Sequence, residues 1–266
     1  MVANRRRIGS THTSAVAIAL GYAAAVWAAD RWLGGSFKLL LVALTVALVA
    51  ALWRTLGRER GVVLALLVAT ALNRYTAELG GASLKPEHLA APLAALALLP
   101  DWRQLLARFR LPDGLLLAWL GWSSVGGLLN ADDRANSAKL WVMLLIVAFG
   151  YFAIVTTTRT VGRLLLLTRA WLLIGIGVGC YGLLSHLLFQ GLDVNLGLQI
   201  KPVTGDPSIA GTFYEANFFG SAMMMLCLTG FTLLLFGTRQ RWLAWSAALV
   251  GLLAVQVSFT RTAWIG

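Results

Sequence analysis

Apolar residues in this chain run in long unbroken stretches. They neither alternate as in a half-buried strand nor form the single stripe of a surface helix. A membrane-crossing helix needs about 20 such residues, within a range of about 17 to 25. Nine stretches approach that length: 14–33, 36–53, 61–79, 84–100, 111–129, 139–157, 170–189, 214–236 and 242–260. The fourth is the weakest, because Pro86, Glu87 and His88 precede an uninterrupted apolar part running only from Leu89 to Leu99. The third and fourth read either as two spans or as one re-entrant hairpin. The pattern predicts an all-α, polytopic transmembrane helical bundle of about nine spans, forming a single transmembrane domain over residues 1–266.

Polar positions between the stretches carry the orientation. One set of loops holds Arg5, Arg6, Arg7, Arg54, Arg58, Arg60, Arg103, Arg108, Arg110, Arg159, Arg163, Arg169, Arg239 and Arg241, 14 basic residues against three acidic ones, Glu59, Asp101 and Asp113. The alternate set holds Arg31, Lys38, Arg74, Lys85, Arg134, Lys139, Lys201 and Arg261, eight basic residues against eight acidic: Asp30, Glu78, Glu87, Asp132, Asp133, Asp193, Asp206 and Glu215. Cytoplasmic loops of membrane proteins are enriched in Lys and Arg. The N-terminus is therefore expected on the cytoplasmic side, with the loop at 190–213 and Arg261 on the outer face.

Composition agrees with this picture. Of the 266 residues 59% are hydrophobic and 12% charged, against roughly 25% charged in a soluble domain. The net charge of +11 could suggest nucleic acid, but the basic residues sit in short loops, so topology accounts for them and no nucleic-acid partner is expected. Cys180 and Cys227 both fall within apolar stretches and read as small buried hydrophobes rather than a disulfide or metal pair. Arg5, Arg6 and Arg7 precede the first stretch without a clear small-residue cleavage site, so that stretch reads as a retained anchor.

Candidate chemistry concentrates in Lys201–Ser221, a polar loop running into the eighth span, and in Ser258–Gly266 at the end of the ninth. Thr212 and Glu215 have capping-box spacing, with Thr212 as the cap and Glu215 reaching back. Alternatively Glu215 or Asn217 contacts a sugar or acceptor hydroxyl at the mouth of the helix. Asn217 lies on an apolar helix and is expected to need a partner. Arg261 reads either as an interfacial arginine whose stem snorkels or as a guanidinium whose planar fork binds a diphosphate. Lys201 is a second cation, by default a solvated loop lysine. His186, near the outer end of the seventh span, reads as a helix-end histidine or a base. Asn130, Asp132 and Asp133 resemble a metal site without further ligands at metal-binding spacing and read as a polar turn. No metal and no cofactor are expected; there is no nucleotide-binding glycine loop, zinc motif or Ser-His-Asp set.

In order, GTFYEANFFGSAMMM, one further span and VSFTRTAWIG resemble the O-antigen ligase and O-antigen polymerase superfamily. Its members carry a G-x-x-x-x-x-N pattern entering a membrane helix, matched by Gly211 and Asn217. The next helix ends in a T/S-x-S/T-R-(G/T)-A-W-(L/I)-G element, matched by Ser258, Thr260, Arg261, Ala263, Trp264 and Gly266. The resemblance implies a multi-pass protein of the cell inner membrane that takes a glycan from undecaprenyl diphosphate on the outer face. The acceptor would be lipid A-core, another glycan or, in some members, protein, with no nucleotide sugar and no obligatory metal. It implies a functional role for Arg261, with the motif residues Gly211 and Asn217 near the substrate; Lys201 and Glu215 join them as candidate substrate contacts by their place in the loop and at the helix mouth.

Two departures stand against it. The family often has an arginine three residues before the glycine, where this chain has Ser208. Members also continue through a large outer loop, with a functional histidine in ligases, and further spans, so the 266 residues read as the truncated N-terminal part of a longer family protein. Two other readings stay open. One is a transporter or flippase for a polar lipid or solute, disfavoured because charges cluster at span ends rather than mid-span. The other is an inactive membrane fragment.

Overall fold

A computed structural model describes residues 2–258 apart from 34–37, 80–81, 102, 104–106, 108, 130–133, 159, 197, 201–206, 214 and 239. The described residues form nine α-helices: α1 (Val2–Leu33), α2 (Lys38–Leu56), α3 (Arg58–Ala71), α4 (Pro86–Leu98), α5 (Leu111–Leu129), α6 (Arg134–Thr157), α7 (Val161–Leu192), α8 (Ala216–Leu235) and α9 (Arg241–Ser258). Two short antiparallel hairpins interrupt them: β1 (Ala77–Leu79) with β2 (Ala82–Leu84), and β3 (Leu198–Ile200) with β4 (Pro207–Ile209). Each helix falls on one predicted apolar stretch, so the protein is all-helical.

Among the described residues four helices are long and apolar enough to cross a membrane: Thr13–Leu33 within α1, together with α7, α8 and α9. The two hairpin-linked helices are shorter than a span. With 14 residues in α3 and 13 in α4, they rise about 20 Å each at 1.5 Å per residue, against about 30 Å of hydrocarbon. The third stretch does not stay helical to residue 79, because its chain turns after Ala71 and enters β1.

The chain divides into two compact units. The first comprises residues 1–69 and 76–163, the second 70–75 and 164–266. In the first, α1 packs on α2, α4 on α2 and α6, and α5 on α6. Polar side chains pin these pairs. Thr45 Oγ1 donates to the Leu41 carbonyl at 2.8 Å, which leaves the Tyr22 hydroxyl to donate to Thr45 Oγ1 at 3.0 Å. Asp113 is buried at the start of α5. Its Oδ2 accepts from the Arg110 backbone N–H at 2.7 Å, and its Oδ1 accepts from the Tyr151 hydroxyl on α6 at 2.8 Å. Glu59 on α3 pairs with Arg163 at the start of α7. Gly57, at φ +84°, ends α2 in the left-handed conformation that a β-carbon disfavours.

The second unit is built on close helix contacts. In α9 the buried face carries Leu243, Ala244, Ala247, Ala248, Gly251, Ala254, Val255 and Ser258, while Trp242, Trp245, Leu249, Leu252 and Leu253 are exposed. Small residues inside and large apolar ones outside invert the soluble pattern and fit a helix whose solvent is lipid. A β-carbon on Gly251 would lie 2.7 Å from both the Met223 carbonyl oxygen and the Cys227 nitrogen of α8. A β-carbon on Gly230 would lie 2.6 Å from Ala248 N. The two helices thus run antiparallel with their backbones nearly touching. Gly175 and Gly182 of α7 likewise lie under Leu226 and Phe219, and Gly179 lies under Val250 and Met223. Cys227 is buried in this contact, but Cys180 is exposed on α7 rather than buried as expected; both are free thiols.

Candidate functional site

The start of α8 is built by three pieces of chain. At the C-terminal end of α7 the Asp193 N–H donates to the Phe189 carbonyl at 3.0 Å, with Asp193 at φ +54°. This is a left-handed cap of the kind Asp and Asn tolerate. Asn195 then holds Leu198 through both of its backbone groups, and Tyr181 donates its hydroxyl to the Leu196 carbonyl. The chain enters β3, which pairs Leu198 with Ile209, Gln199 with Ser208 and Ile200 with Pro207. This hairpin lies within what reads from sequence as one long polar loop. Its strands are three residues each, too short to show a period.

β4 leads into a turn over Ala210–Phe213, closed by the Phe213 N–H on the Ala210 carbonyl at 2.9 Å. Gly211 sits in this turn at φ +57°, and a β-carbon on it would lie 3.1 Å from the Phe219 ring. Both the backbone conformation and the lack of space require glycine here. Phe219 is fully buried, edge-on to Phe213 with centroids 6.2 Å apart. It therefore locks the turn onto the second turn of α8.

The capping box does not form. The helix begins three residues later than Thr212 would place it, with Glu215 as the N-cap residue, extended at φ −132°, ψ 149°, and making no side-chain cap bond. Instead the Gln199 side chain reaches from β3, and its Oε1 accepts from the Ala216 N–H at 3.1 Å. The hairpin thus supplies the acceptor that a cap would have given. Thr212 is buried, and its hydroxyl makes no hydrogen bond among the described residues.

Of the site residues expected from sequence, Gly211, Glu215 and Asn217 come together at this helix entry. Glu215 and Asn217 are both exposed. Asn217 is the second residue of α8 and exposed, with no side-chain partner of the kind expected from sequence among the described residues. Lys201 and Arg261 lie outside the described residues, as do Asn130, Asp132 and Asp133. His186 is buried in α7 beside Ser185. Ser208, where the family often has arginine, is 2% exposed and donates to the Gln199 carbonyl at 3.1 Å. A long cation would not fit that position without rebuilding the hairpin. Among the described residues no three His, Cys, Asp or Glu side chains group as metal ligands.

Sequence reasoning placed Arg74 among the loop charges but not in the site. Its backbone N–H donates to the Thr212 carbonyl at 3.0 Å, and its Nη1 donates to the Gly211 carbonyl at 3.2 Å. Nothing local in the sequence signals this, because 137 positions separate the partners. The one available hint was the charge count, which put Arg74 and the 190–213 loop in the same set.

α9 returns to this end of the unit: β4 packs against both α8 and α9, and the antiparallel contact brings Ser258 level with the first turns of α8. Comparison with protein-family models, curated proteins and solved structures found no match.

Proposed function

We propose that this chain is a membrane glycan transferase of the type its two motifs resemble. It would transfer an oligosaccharide or polysaccharide from undecaprenyl diphosphate to lipid A-core or another glycan on the outer face of the inner membrane. The reading is carried by one observation: the glycine of the first motif and the end of the helix leading into the second lie at the same end of one helical hairpin. Arg261 follows Ser258 by three residues, a chain length of at most about 11 Å. That is short enough for its guanidinium to share a ligand with the α8 entry.

The chemistry asks for a cation at the leaving oxygen and a base at the acceptor hydroxyl. The acceptor hydroxyl oxygen bonds to the anomeric carbon as the bond from that carbon to the diphosphate oxygen breaks. Undecaprenyl diphosphate leaves with the electron pair, and a base takes the hydroxyl proton. Negative charge grows on the leaving oxygen, so a fixed cation stabilises the transition state more than the bound donor. Glu215 and Asn217, exposed at the helix mouth, are available to sugar hydroxyls.

The test is transfer from an undecaprenyl diphosphate-linked oligosaccharide by the complete protein in vesicles. Arg261→Ala is expected to abolish transfer while the protein inserts normally. Unchanged transfer by that variant removes Arg261 from the site; no transfer by the complete parent protein defeats the reading.

A further inference from the structure

We infer that Arg74 is an anion-binding residue of the α8 entry, its guanidinium fork taking two oxygens of a diphosphate. This deepens the reading above and rests on it for the identity of the donor.

Two hydrogen bonds hold Arg74 on the 210–213 turn, one from its backbone to the Thr212 carbonyl and one from Nη1 to the Gly211 carbonyl. Main chain and one corner of the guanidinium are thereby fixed before any ligand arrives. The group carries five N–H donors, and the Gly211 carbonyl takes one. Among the described residues no carboxylate pairs with it, and the residue is partly exposed rather than sealed in. Glu215, the nearest acidic residue in the sequence of the turn, stays exposed and does not neutralise it.

Supporting one carbonyl needs only a single neutral donor. What arginine adds is a permanent charge and a second pair of parallel donors, which match phosphate geometry. The turn also holds a polar group that the fold leaves unused, the buried Thr212 hydroxyl, which has no hydrogen-bond partner among the described residues. Buried polar groups are nearly always satisfied, so an unused one on the same turn as a guanidinium with no carboxylate partner among the described residues points to a ligand.

The experiment uses the full chain in nanodiscs of zwitterionic lipid, doped with undecaprenyl diphosphate or with uncharged undecaprenol. The parent protein is expected to bind the diphosphate in preference to the alcohol, with inorganic pyrophosphate competing. Arg74→Gln keeps a donor for the Gly211 carbonyl and should weaken diphosphate binding about tenfold or more at an unchanged melting temperature. Arg74→Lys keeps the charge without the fork and should fall between the two. If Arg74→Gln does not fold, Arg74→Lys decides: binding equal to the parent overturns the inference, as does equal binding by a folded Arg74→Gln. Arg74-dependent diphosphate binding without glycan transfer by the complete protein would sink the transferase reading and leave this site standing. Transfer that survives Arg74→Gln unchanged would do the reverse.

Discussion

Phe219 stands in the space that a side chain at Gly182 would need. A β-carbon there would lie 2.5 Å from the Phe219 Cζ and 3.0 Å from the Ile209 Cγ2. One glycine on α7 therefore lets a ring from α8 and a residue from β4 meet in the same layer, and that ring also presses on Gly211. The position of the motif glycine is thus set from a helix some thirty residues upstream.

Gly182→Ala is expected to cost about 1–3 kcal/mol, because the ring can retreat only by displacing the turn. Gly177→Ala, on the same helix with nothing within 4 Å, is expected to leave stability unchanged or raise it by up to about 1 kcal/mol. Melting in detergent checks both. Equal melting temperatures for the two variants would show that Phe219 does not need the space.

Asp113 joins α5 to α6 through Tyr151 and caps its own helix through Arg110. Asp113→Ala leaves two donors without an acceptor and should destabilise by about 1–3 kcal/mol. Tyr151→Phe removes one of the two bonds and should cost less. A double variant no worse than Asp113→Ala would confirm that the two share one interaction; fully additive losses would refute it.

The loop charges predict sidedness. Glu59 with Arg163 and Arg74 with Gly211 each join loops that the charge count assigns to one set. A cysteine placed at position 203, in a background with Cys180 and Cys227 replaced, is expected to react with an impermeant maleimide from the outer side of intact cells. One placed at position 238 is expected to react only after permeabilisation. The opposite pattern inverts the protein and removes the donor from reach of the proposed site.

Helix content was legible because it depends on local matters. Long apolar stretches can satisfy their backbone in lipid only as helices, and loop punctuation divides them, so the nine helices of the described residues could be located. Their lengths were less legible. An apolar stretch says where a helix is tolerated, and the turn after Ala71 ended α3 through contacts that Arg74 and Tyr75 make with residues of their own unit.

The sequence by itself determined the chemistry at hand: which residues are small enough for backbones to touch, which are cationic, and where glycine precedes an apolar run. Only the tertiary structure decided that Gln199 rather than Thr212 satisfies the first N–H of α8, and that Arg74 comes to rest on Gly211. Both contacts join residues far apart in sequence. Hydrogen-bond partners are chosen by distance in space, and spacing along a chain predicts that distance only within a single helix or turn.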